Sequence, residues 1–233
     1  NLALQRRIAE AIELFEQVRT TRVRGSALEV VRADALQNQA TLNEIDLLLT
    51  LAQGQPEPEK SATFERAEEL LDHLRRSAGG ETTPHLLLSG KLALQRNKPA
   101  VAVTTLDKAI QQLENPSPEL LLLSAQARLQ TNETGAARKR LIEVLEKRPQ
   151  YLPAHYELAR FHLRFTTLDE AKEQIDQILR IDPDDEVGLT LKADWLAKQE
   201  RYDEAIALFV DRLDAANDPR LSIPLARLYQ MAG

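Results

Sequence analysis

The sequence predicts an all-α solenoid built from antiparallel helix pairs, about 12 helices in total. Three observations carry this. Alanines recur at Ala102, Ala137, Ala171 and Ala205, which stand 35, 34 and 34 residues apart. A small residue recurs upstream with the same period, at Gly90, Ala125, Ala159 and Ala193. Prolines stand between the periodic segments, and the chain has only 8 glycines among many strong helix formers.

The period resolves into two helices per repeat. Four residues beyond each alanine signpost come Leu106, Leu141, Ile175 and Phe209. Three further on are Ala109, Val144, Ile178 and Arg212, followed by Ile110, Leu145, Leu179 and Leu213. That spacing is one face of an α-helix. The upstream helices carry the small residue where two backbones must approach closely. Short polar turns join the members of a pair, at Arg96–Lys98, Thr131–Glu133 and Lys198–Arg201. Proline-bearing turns join one pair to the next, at Asn115–Pro118, Arg148–Gln150 and Asp182–Asp185. Proline ends one helix and is tolerated in the first turn of another. Ser117, ahead of Pro118 and Glu119, reads as an N-cap.

A period near 34, paired helices, recurring small residues and a closing proline resemble the tetratricopeptide-repeat (TPR) family. The likeness is closest in Leu152–Pro183, where Asp169–Ala171 and Ile181–Pro183 look nearly like the family consensus. Ser89, Ser124 and Lys192 depart from it, standing where leucine is usual, and Arg212 replaces a small apolar residue. The resemblance implies a right-handed superhelical solenoid, with repeats at about 83–117, 118–151, 152–185 and 186–218 and a truncated one at 219–233. Pro219–Ala232 reads as the first helix of that last repeat, so the chain is expected to be a piece of a longer, bacterial protein.

Residues 1–82 fit the pattern less closely and read as divergent helices of the same kind. Leu2–Thr20 is amphipathic, with Leu4, Ile8, Ala11, Ile12, Phe15 and Val18 on one side. Ala27–Gln53 has neither proline nor glycine and predicts one long helix. A loop follows at residues 54–60, and Phe64–Arg76 resembles a second helix of a pair, with Ala67, Leu71 and Leu74 in the core slots.

Composition narrows the function. Thirty Lys and Arg against 36 Asp and Glu give a net charge of -6, which disfavours nucleic acid as a partner. No apolar run approaches the length of a membrane span. With no cysteine, thiolate chemistry and Cys-ligated metal are excluded, while either a cytoplasmic or a periplasmic location fits. His155 and His162 lie seven apart in slots that normally pack, not at a metal-binding spacing. His73 and His85 read as surface or helix-end residues. The acidic pairs Asp169/Glu170 and Asp184/Asp185 fall at helix starts, where they complement the helix dipole. The basic runs Arg138–Arg140 and Arg75–Arg76 read as solvated faces of second helices. No nucleophile, base and oxyanion set emerges, so neither an enzyme site, a cofactor nor a metal is expected.

The resemblance implies a concave groove lined by the first helices. Its floor would include Leu87, Leu122, Tyr156 and Thr190, with Lys91, Gln126, Arg160 and Asp194 one turn on, and Gln95, Gln130, Arg164 and Lys198 beyond them. For Leu87 and Leu122, packing on the neighbouring repeat is an equal reading. Such a groove suits a protein or peptide partner with apolar anchors and some acidic character. It lacks the asparagines with which some TPR domains grip a chaperone's terminal carboxylate. Two other functions fit the same pattern: a self-associating structural module, and a regulatory helical region of a larger enzyme.

Overall fold

The structure is a computed structural model that describes residues 2–23, 25–216 and 222–232, with side chains for 3–23, 25–210 and 225–231. Twelve α-helices and no strand occur among the described residues. In chain order they are α1 (Leu2–Thr20), α2 (Ala27–Ala52), α3 (Glu59–Ser77), α4 (Thr83–Gln95), α5 (Pro99–Gln111), α6 (Pro118–Gln130), α7 (Thr134–Lys147), α8 (Leu152–Phe165), α9 (Leu168–Ile181), α10 (Glu186–Ala197), α11 (Tyr202–Ala216) and α12 (Ser222–Ala232). They form two compact units, Asn1–Glu133 and Thr134–Gly233.

The turns explain why the helices stop where they do. In the α4–α5 turn Asn97 adopts φ 55°, a left-handed conformation. This lets the Lys98 N–H reach back to the Ala93 carbonyl at 2.8 Å and the Asn97 N–H to Leu94 at 3.0 Å. Both bonds satisfy carbonyls that a helix end otherwise leaves bare. Asn132 does the same after α6, and Glu200 after α10, at φ 62° and 60°. At helix starts, Ser117 accepts the Leu120 N–H, Thr167 accepts that of Glu170, and Asp185 accepts that of Gly188. Proline occupies the first turn of α4, α5, α6 and α8.

The signpost alanines Ala102, Ala137, Ala171 and Ala205 are all fully buried, as are Leu106, Leu141 and Phe209, with Ile175 nearly so. Ala109, Val144 and Ile178 are also fully buried, whereas Arg212 and Leu213 lie outside the described side chains. Gly90 is required by close approach: a Cβ there would stand 2.5 Å from the Leu106 side chain. Of the expected last first helix, Ser222–Ala232 is helical and buries Leu225 and Leu228, while residues 219–221 lie outside the described set.

In the first unit α2 and α3 share a core of Ile45, Leu49, Phe64, Ala67, Leu71 and Leu74, to which α4 adds Leu88 and Leu92 and against which α1 packs Ile12. The long helix predicted from Ala27 ends at Ala52, and α3 begins at Glu59, inside the expected loop. At the middle of this assembly Glu44 is fully buried and bonded to Arg19 and Arg66, which both also reach Glu16.

Candidate functional site

The expected groove residues of the first unit are largely engaged. The Lys91 ammonium donates to Asp46 of α2 at 2.5 Å, so α2 and α4 lie side by side as α4 and α6 do. Leu122 is buried, and Leu87 is half-buried on the core shared by α4, α5 and α6, which favours a packing role for both. Gln126 is half-buried.

In the second unit the first helices α8, α10 and α12 bring several expected residues into one cleft of about 690 Å³. Arg160 and Arg164 come from α8, Thr190, Asp194 and Lys198 from α10 and its end. Sequence reasoning missed four further contributors: Leu163 and Val187 as apolar floor, and Arg227 with Met231 from α12. The missing signal was the truncated pattern at 219–232, which places Arg227 two residues after Leu225.

Charge in the cleft is unbalanced. Four cations, Arg160, Arg164, Lys198 and Arg227, face two carboxylates, Glu186 and Asp194. Arg160 reaches Glu157 at 3.4 Å, and Arg227 reaches Asp194 at 3.7 Å, a loose bridge between α12 and α10. Arg164 lies over the Phe165 ring at 4.8 Å. Among the described residues no carboxylate lies within ion-pair distance of Arg164 or Lys198, and both are exposed. The rim is therefore cationic and the floor apolar.

Tyr156, expected on the groove floor, makes a bond between neighbouring first helices. It is half-buried on the α8–α10 core, and its hydroxyl donates to the Asp185 carboxylate at 2.5 Å. Burial first, then that bond to Asp185, push the phenol's pKa well above its usual value. Because Asp185 also caps α10, Tyr156 ties α8 to the start of its neighbour.

Three of the four histidines pack. His155 bonds Gln174 and the Pro149 carbonyl through its two ring nitrogens, each at 2.8 Å. His162 lies 2.7 Å from the Thr166 hydroxyl, and burial lowers its pKa despite the opposing charge of Glu170. His73 is exposed as expected, but His85 is 7% exposed, facing inward from the first turn of α4. Helix-end position did not predict burial there, because His85 lies beside Leu71, Asp72 and Arg75 of α3. No cluster of metal-ligating side chains occurs among the described residues, and no helix is long and apolar enough to cross a membrane.

Residues 135–194 match the tetratricopeptide-repeat family. The fold is that of solved TPR proteins. One from Parabacteroides merdae is 18% identical with a TM-score of 0.62, over 80% of this chain and 73% of that one. PilW, a widely conserved type IV pilus biogenesis factor, is 18% identical with a TM-score of 0.66, over 95% and 98%. YrrB, a TPR protein with an unusual peptide-binding site, is 14% identical with a TM-score of 0.57, over 87% and 98%. No curated protein sequence matches. The chain is thus an all-α TPR-like fold.

Proposed function

We propose that this protein is a non-enzymatic interaction module whose cleft between α8, α10 and α12 holds a segment of a partner protein. The observation that carries the reading is the pairing of an apolar floor with a rim of four cations against two carboxylates. The segment it suits presents one or two apolar side chains to Leu163, Val187 and Met231, with Asp or Glu beside them. Burying the anchors supplies most of the affinity, roughly 1.5–3 kcal/mol for each large apolar side chain. The carboxylates choose the partner and its orientation, since exposed charge pairs add little net energy but penalise mismatched charge. Arg164 and Lys198, without carboxylates of their own, are the residues a ligand acid meets first. In YrrB the same fold carries a peptide-binding site, which makes a peptide ligand compatible with the architecture.

A library of short peptides selected on the full chain tests this. The reading expects an enriched consensus of apolar residues flanked by acids, with slowed amide exchange in α8, α10 and α12 when the selected peptide binds. Enrichment of basic peptides, or protection confined to other helices, would count against it.

A further inference from the structure

The first ten residues of α2 are largely bare: Val30, Ala33 and Asp34 line a cleft with Arg19–Val23 at the end of α1, and the other faces are exposed. At one side α1 ends level with Gln37, whose amide donates to the Thr21 carbonyl at 2.5 Å. At the other, Ser77, the last residue of α3, bonds Asn38 at 3.3 Å. From Ala27 to Leu36 every residue but Ala33 is exposed. This makes a helical spur of about 15 Å at 1.5 Å per residue. It is held helical to its start by a reciprocal cap. Glu29 accepts the Ser26 N–H at 2.7 Å, and Ser26 Oγ accepts the Glu29 N–H at 3.4 Å.

The spur is not polar. Leu28, Val31 and Leu36 are 59%, 63% and 65% exposed. Leu28 and Val31 begin a seam with alternating steps of three and four: Leu28, Val31, Ala35, Asn38, Leu42, Ile45, Leu49, Ala52. That is the spacing of helix-on-helix packing. In its second half the seam is filled from within the chain, where Ile45, Leu49 and Ala52 are fully buried against α3 and α4. At Leu28, Val31 and Ala35 no described residue covers it. An apolar stripe continuous with an occupied helix interface is complementary to another helix laid in line with α3.

Charge decides between a second copy and a different chain. Arg32 flanks the bare seam on one side and Asp34 on the other, both exposed. Antiparallel pairing of two copies sets Arg32 opposite Arg32 and Asp34 opposite Asp34, while parallel pairing sets them opposite Ala27 and Gln39. Neither arrangement makes an opposite-charge pair. We propose that the spur Ala27–Gln37 docks an amphipathic helix of a different protein, antiparallel to α2, with an acidic residue facing Arg32 and a basic one facing Asp34. This surface is separate from the cleft in the second unit.

A designed three-heptad peptide tests the assignment on the full chain by fluorescence anisotropy. It carries Leu at the seam positions, Glu where it meets Arg32 and Lys where it meets Asp34; a counterpart has Glu and Lys exchanged. The first peptide is expected to bind at least about tenfold more tightly than the counterpart. Val31→Glu, on an exposed site, is expected to lose that binding with unchanged helix content by circular dichroism. Arg32→Glu with Asp34→Lys is expected to reverse the preference. Equal affinities for both peptides, or undiminished binding by Val31→Glu, would overturn the proposal. So would a dimer in sedimentation that Val31→Glu dissolves, which would make the occupant a second copy. Co-sedimentation with phosphatidylcholine vesicles containing phosphatidylserine, lost in Val31→Glu, would overturn it in favour of a lipid surface.

Discussion

The Glu44 carboxylate, with none of its side chain exposed, accepts the Arg19 Nε–H at 3.0 Å. Arg66 approaches its other oxygen at 3.4 Å, and Glu16 joins both arginines from α1. One carboxylate on α2 therefore gathers α1 and α3 around it. Removing Arg19 leaves the buried carboxylate with Arg66 alone, at the longer distance of 3.4 Å. Arg19→Ala is expected to destabilise the first unit by about 2–4 kcal/mol, read from the urea dependence of hydrogen exchange in α1–α3. Arg6→Ala, which breaks the exposed pair with Glu10, is expected to leave those amides unchanged.

Gly90 of α4 and Leu106 of α5 approach each other closely. A Cβ at residue 90 meets the Leu106 side chain at 2.5 Å, so a branched side chain cannot enter without displacing it. Gly90→Val is expected to cost about 1–3 kcal/mol through overpacking. The check is a lowered urea midpoint for the amides of α4 and α5.

Three turns close on a left-handed residue other than glycine, and two of them use asparagine. The third uses Glu200, a residue with no local compensation for positive φ. Glu200→Asn is expected to stabilise the second unit by about 1 kcal/mol. A thermal melt that falls rather than rises would show that the Glu200 side chain has a role beyond its backbone.

His162 gives the second unit a sensitivity to acid. Burial holds its folded pKa below the ordinary value of 6.5, so the unfolded chain binds the proton more readily. Stability contributed by the neutral ring is therefore full above that value and is lost as pH falls below it. Acidifying from neutral is expected to lower the melting temperature of the second unit. His162→Gln is expected to flatten that dependence while keeping a partner for Thr166.

Much of the fold was legible in the sequence because close helix packing restricts residue type. Only a small side chain fits at Gly90, Ala125, Ala159 and Ala193, so the restriction repeats wherever the packing repeats. The charged contacts were not legible. Lys91 with Asp46 and Tyr156 with Asp185 join residues 45 and 29 apart, and a surface lysine or tyrosine looks the same in sequence whatever it meets. The helical run of Ala27–Ala52 could be read, but not that its first ten residues outrun their neighbours, since that depends on where α1 and α3 end. The cleft was half legible. Arg160, Arg164, Asp194 and Lys198 follow from the repeat, whereas Arg227 and Met231 sit where the pattern is cut short.

The central claim is that the cationic rim of the second-unit cleft selects an acidic, apolar-anchored segment. Titration calorimetry of a selected acidic peptide against the native chain and against Arg164→Glu with Lys198→Glu tests it most directly. Both sites are exposed, so the fold is expected to survive, with unchanged circular dichroism. The account predicts affinity at least about tenfold weaker for the variant, restored when the peptide's acids are replaced by lysine. Equal affinity of the native and variant chains for the acidic peptide would contradict it.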